Sequence, residues 1–195
     1  MENRTRPGGG RAGAVTGRWV KAAGCCRRES TPPSDTAVET LALYTGDLGG
    51  SSHLQGTKPE TVGFALADSP AGQAAWIYEK FQSKTDNHGL AEDALSIDDM
   101  LDAISLYWFT NSAASSGRIY WENKSATFAG PKLTLPVAVT VFPKDIPRLP
   151  RSWIEDTYSN LIHYGEAGKG GHFAALEQPE ILVSEIRTGL RTLRS

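Results

Sequence analysis

Two residues in the last third of the chain are of the types and spacing that acid–base chemistry uses. Asp145 lies in PKDIP and His172 in GKGGHF, 27 residues apart. Each follows directly on a short run that reads as a strand, LPVAVTVF (135–142) and NLIHYGE (160–166). In open α/β sheets, sites form beyond the carboxyl ends of strands. On neighbouring strand ends the carboxylate would hold the imidazole in one tautomer and stabilise its protonated form. Gly170 and Gly171 would let the loop bend so that the ring faces the acid. The residues alone leave a blander reading open. A histidine after glycines is commonly a loop residue, and an aspartate between lysine and isoleucine near prolines is commonly a solvated turn.

The elements that must position this pair are legible from pattern. LPVAVTVF is apolar and β-branched, as in a strand buried in a parallel sheet. PRSWIEDTY reads as a helix between the two strands. A last helix starts near Pro179, turns Ile181, Leu182, Ile186, Leu190 and Leu193 inward, and ends in Arg187, Arg191 and Arg194, which suit its dipole. The C-terminal third is therefore β-α-β-α, with the acid-then-histidine order of α/β-hydrolases.

Upstream the pattern is helical and aromatic. In DSPAGQAAWIYEKF, Ser69 is the expected N-cap and Pro70 the first helical residue, with Ala74, Ile77, Tyr78 and Phe81 on one face. In SIDDMLDAISLYWF, Ser96 and Asp99 form an expected capping box ahead of Ile97, Met100, Leu101, Ile104, Tyr107 and Trp108. SSGRIYWEN reads as a third, short helix.

Composition narrows the class. At 39% hydrophobic and 22% charged residues, 195 residues suit a soluble globular domain. No apolar run approaches the roughly 20 residues of a membrane helix. Residues 1–28 hold seven basic residues against the single acid Glu2, and are glycine-rich and aperiodic. They read as an unstructured tail; a transit peptide or a nucleic-acid arm fits less well, for want of amphipathic pattern and interleaved aromatics. Cys25 and Cys26 are the only cysteines. They form no disulfide framework or zinc site, and a reducing compartment is expected.

Four blocks carry a resemblance: QGTKPETVGFALADSPAGQAAWIYEKF, SLYWFTNSAASSGRIYWEN, VAVTVFPKDIPRLPRSW and GGHFAALEQPE. In this order and spacing they closely resemble the C-terminal half of epoxide hydrolases of the microsomal type, almost without gaps from Gln55 to Arg194. The resemblance implies a partial α/β-hydrolase fold, with a helical lid over the C-terminal strands and helices of a parallel sheet. It implies hydrolysis of an epoxide to a vicinal diol through an aspartyl ester, without metal or cofactor. His172 matches the water-activating base, Asp145 the acid that orients it, and Tyr120 a lid tyrosine that donates to the epoxide oxygen. A phenol with a pKa of about 10 can assist a basic alkoxide without being ionised at neutral pH, and an imidazole titrates in the range a base needs.

Departures from the family pattern matter as much. Ser51 stands where the second lid tyrosine is expected, and a serine hydroxyl is too short to replace a phenol across a pocket. The nucleophile belongs on an upstream strand–turn–helix. Gly46-Asp47-Leu48-Gly49 is a faint match to that elbow, but Asp47 reads better as a turn residue.

The expected organisation is a leader over 1–50, a lid over 51–130 and an α/β-hydrolase segment over 131–195. The chain is expected to be truncated, without its nucleophile, and inactive alone; alternatively it is a remnant or assembly module that pairs with an N-terminal half. A hydrophobic epoxide is the expected partner, with roles in detoxification or aromatic hydrocarbon catabolism. Neither nucleic acid nor membrane is expected as a partner, homo-oligomerisation is left open, and a cytoplasmic location is expected.

Overall fold

The computed structural model describes residues 35–123, 133–146 and 148–194. The first of these stretches is helical throughout. It comprises α1 (Asp35–Thr45), a 3-10 turn (Asp47–Gly49), α2 (Gly50–Thr57), α3 (Pro59–Asp68), α4 (Pro70–Lys84), a second 3-10 turn (Ala91–Asp93), α5 (Ile97–Phe109) and α6 (Ala113–Glu122). After it come β1 (Val137–Val141), α7 (Arg151–Thr157), β2 (Leu161–Glu166), α8 (Ala174–Glu177), α9 (Pro179–Gly189) and a 3-10 turn (Arg191–Arg194).

The expected caps are present. Ser69 Oγ accepts from the Gly72 N–H at 3.0 Å, and Pro70 opens α4, where its missing N–H leaves no partner wanting. Ser96 Oγ accepts from the Asp99 N–H at 3.1 Å and donates to the Asp99 carboxylate at 2.6 Å. The reciprocal bond thus runs through the serine hydroxyl, whereas the usual box uses the cap's backbone N–H. Asn111, at φ 51°, makes the left-handed turn from α5 to α6 that asparagine tolerates.

Phe81 of α4, Ala91, Leu95 and Met100 of α5 form the core, with Ile77, Tyr78 and Ala103 against it. Phe173, from the segment after β2, joins the same cluster, its ring 4.9 Å from that of Phe81 at a tilt of 59°. An aromatic pair in this arrangement contributes beyond its buried area. This core is therefore also the seat of the residue next to His172.

β1 and β2 are parallel, with Val139 opposite Tyr164 and Val141 opposite Glu166. Two isolated parallel bridges extend the pairing, Leu133–Tyr158 before the strands and Lys144–Gly171 beyond their carboxyl ends. The second is decisive for the site, because Asp145 and His172 are each the next residue after it.

Three expectations change. Residues 35–50, assigned to the leader, are helical in the structure, with Ala37 and Thr40 buried; residues 1–34 lie outside the described residues. β1 is half-buried, because among the described residues only β2 pairs with it. The last helix stops at Gly189, and Ile186, Leu190 and Leu193, expected to be buried, are exposed. Their apolar face is real, but a two-stranded sheet is too narrow to cover it.

Candidate active site

The loop after β1 and the loop after β2 bring the expected pair together. His172 Nδ1 and Asp145 Oδ1 lie 2.8 Å apart. The same Asp145 oxygen accepts from the Ile146 N–H at 2.7 Å. Burial by itself would raise the Asp145 pKa; the hydrogen bond with His172 and the Ile146 N–H together outweigh it and hold the carboxyl below its ordinary value. An ionised Asp145 fixes the proton on Nδ1, which leaves Nε2 as the free lone pair of a neutral ring. The His172 side chain is 44% exposed and that of Asp145 31%, so Nε2 can reach water.

The two glycines before His172 are required. Gly170 has φ +107°, and a Cβ there would stand 2.9 Å from the Phe142 ring and 3.0 Å from the Gln178 side chain. A Cβ on Gly171 would stand 2.6 Å from the Lys84 carbonyl oxygen. Gly171 lets the loop lie against the end of α4, and Gly170 lets it pass Phe142 and Gln178.

That close approach brings in two carboxylates that pattern reading does not find. Glu177, in α8 and only 8% exposed, accepts from the Gly171 N–H at 2.9 Å, the Phe173 N–H at 3.0 Å and the Asp86 N–H at 2.8 Å. Asp86 accepts from the Gly170 N–H at 2.9 Å. Glu177 is legible only as an acid near the start of a helix. Asp86 is 84 residues from its partner, and no local signal connects them.

Tyr120 lies on α6, 43% exposed. Burial raises its pKa above the ordinary value, and the nearby Tyr44 and Tyr107 push it the same way. It makes no hydrogen bond with the dyad. Ser51 is in α2, where its carbonyl accepts from the Gln55 side-chain amide at 3.3 Å. Asp47 opens a 3-10 turn that follows a helix, where an elbow would need a preceding strand; its side chain lies outside the described residues.

Two surface hollows lie away from the dyad among the described residues. One of about 450 Å³ lies beside β2 over Arg148, Arg151, Tyr164 and Glu166. Another of about 340 Å³ opens between α5 and α6 over Leu106, Tyr107 and Ile119. Among the described residues, no cluster of three or more histidine, cysteine or acidic side chains is placed to hold a metal, and no helix is long and apolar enough to cross a membrane.

No protein-family model matches the chain. A Stigmatella aurantiaca protein assigned to the epoxide hydrolases is 54% identical over 85% of the chain and 38% of its own length. Epoxide hydrolase 1 of Sus scrofa is 40% identical over 71% of the chain and 33% of its own length. Among solved structures, an enantioselective mutant of the Aspergillus niger epoxide hydrolase matches 86% of the chain and 43% of its own, at 30% identity and a TM-score of 0.71. The chain belongs to the epoxide hydrolase family. The juvenile hormone epoxide hydrolase of Bombyx mori matches 74% of the chain and 40% of its own, at 33% identity and a TM-score of 0.67. This epoxide hydrolase family chain thus has a partial α/β-hydrolase fold, and spans about two fifths or less of the length of the relatives it matches.

Proposed function

We propose that this chain supplies the lid and the acid–base half of an enzyme that hydrolyses a hydrophobic epoxide to a vicinal diol through an aspartyl ester. The observation that carries the reading is the His172–Asp145 hydrogen bond of 2.8 Å, formed where two parallel strands end. In the first step a carboxylate attacks an oxirane carbon, the carbon–oxygen bond breaks, and the leaving oxygen takes the proton of the Tyr120 phenol. In the second, His172 Nε2 removes a proton from water, the hydroxide attacks the ester carbonyl, the diol leaves as the carboxylate is restored, and the proton taken up by His172 returns through water to the Tyr120 phenolate.

The nucleophilic carboxylate comes from outside the described residues. Three carboxylates surround the histidine loop, and each is committed. Asp145 accepts from the ring and from Ile146, Asp86 from Gly170, and Glu177 from three backbone N–H groups. The open sides of the dyad and of β1 fit the same reading, since both await walls and strands from a complementary segment. Detoxification or aromatic hydrocarbon catabolism in the cytoplasm would suit an enzyme of this reaction.

The test is diol formation from a styrene-oxide-like epoxide. The chain alone should form none. Co-expression with the segment of the Stigmatella aurantiaca relative that this chain does not match should restore turnover, and His172→Ala should abolish it again. Turnover by the chain alone that is lost in Asp47→Ala would place the nucleophile at Asp47. Complemented turnover indifferent to His172→Ala would refute the reading.

A further inference from the structure

We propose that Glu177 is a positioning residue, which together with Asp86 locks the lid to the backbone of His172 and so fixes the imidazole on Asp145. This rests on the reading of His172 as the base, but its test does not.

Four consecutive amides run through the histidine loop, and all four are held. Gly170 donates to Asp86 at 2.9 Å, Gly171 to Glu177 at 2.9 Å, His172 to the Lys84 carbonyl at 2.9 Å, and Phe173 to Glu177 at 3.0 Å. The two neighbours of His172 thus end on the two oxygens of one buried carboxylate, while the residue itself ends on the lid. Glu177 also takes the Asp86 N–H at 2.8 Å, so the lid turn that binds Gly170 and His172 is itself fastened to Glu177. On the far side the Lys144 N–H donates to the Gly170 carbonyl at 3.1 Å, which ties in the strand end carrying Asp145.

Only a carboxylate satisfies this arrangement. It offers four lone-pair positions and no proton, whereas an amide brings one acceptor oxygen and a donor NH₂ that would face an N–H. A buried N–H left without an acceptor is costly, so the loop would move to find one. A shift of about 1 Å is enough to break a 2.8 Å hydrogen bond at the other end of the histidine. Glu177→Gln keeps the volume and removes the acceptor.

The experiment is ¹⁵N and ¹H NMR of the imidazoles of His53, His88, His163 and His172 in the intact chain, without substrate. In the parent, His172 should show a protected Nδ1 proton and a single tautomer. His163 is the internal control, since its ring is hydrogen-bonded to Glu185 at 2.9 Å on a different face of β2. In Glu177→Gln the His172 proton signal should vanish and the ring populate both tautomers, with His163 unchanged. An unchanged His172 in a folded Glu177→Gln chain overturns the proposal. If His163 is lost as well, the variant has unfolded, and Asp86→Ala, which removes only the outer contact to Gly170, decides. Loss confined to His172 then supports the proposal and an unperturbed His172 overturns it. Because no turnover is read, an inert or misassigned base leaves the result intact.

Discussion

Replacing Gly170 by alanine tests whether the histidine loop is held by its backbone as described. Two penalties combine there. At φ +107° an alanine is strained by about 1–3 kcal/mol. Its Cβ would also meet the Phe142 ring at 2.9 Å, and Phe142 is only 4% exposed, so the ring cannot swing into solvent. Overpacking of this kind costs about 1–3 kcal/mol. Gln178, the second contact, is flexible and gives way. A net loss of about 3 kcal/mol is expected, a large part of the 5–15 kcal/mol typical of a folded domain. With a urea slope of about 2 kcal/mol/M, the unfolding midpoint should fall by about 1.5 M. Gly168 is the matched control, two residues earlier in the same loop, with nothing within 4 Å of its Cβ position. Gly168→Ala should lie within about 0.5 kcal/mol of the parent or be slightly stabilising. Equal midpoints for the two variants would refute both the strain and the close packing on Phe142.

Other outcomes follow from the same geometry. Because the folded Asp145 pKa is depressed, its stabilisation is present above the ordinary value of about 3.9 and is lost as pH falls through the folded value. Urea midpoints of the parent and Asp145→Asn should therefore differ near neutrality and converge in acid; in the complemented enzyme kcat should drop by about 10⁴-fold as the ring loses its tautomer. Tyr120→Phe should lower kcat of the complemented enzyme by about 10²-fold with little change in KM. The alkaline limb of the parent should lie above the ordinary phenol pKa of about 10, because the Tyr120 pKa is raised. Gly63→Ala would place a Cβ 2.6 Å from the Ala114 Cα, forcing α3 and α6 apart at a cost of about 1–3 kcal/mol. Gly50→Ala, with open space around it, should be neutral in the same unfolding assay.

What could be read in advance was local or periodic. Ser69 and Ser96 announce their helices because a cap needs only its own first turn. Asp145 and His172 stand out because they end the two apolar runs, and the structure pairs those runs in register. What could not be read depends on partners. The apolar positions of α9 are visible as a stripe, but a stripe does not say whether anything covers it, and Ile186, Leu190 and Leu193 are exposed. The leader boundary at residue 50 extends too far. The basic, glycine-rich composition ends near Arg28, and DTAVETLALYT already offers helix formers, which become α1. The contacts of Glu177 and Asp86 were out of reach because the turn after α4 and the histidine loop meet only in three dimensions.

The two halves of the candidate site are held differently. The dyad rests on contacts within this chain: the Lys144–Gly171 bridge, the Phe81–Phe173 pair in the helical core, and the carboxylates on the loop amides. Both carboxylates meet the loop amides at 2.9 Å, and the Gly171 bond is buried, so the backbone that carries His172 is fixed from within the chain. The α6 surface around Tyr120 is more open. Tyr120 holds no hydrogen bond to the dyad, Ile119 beside it is exposed, and β1 offers an unpaired edge among the described residues. An open sheet edge and exposed apolar side chains are features by which a sheet recruits another strand, correctly or by aggregation. The Asp145–His172 geometry is thus complete within the described residues, whereas the surface around Tyr120 is open.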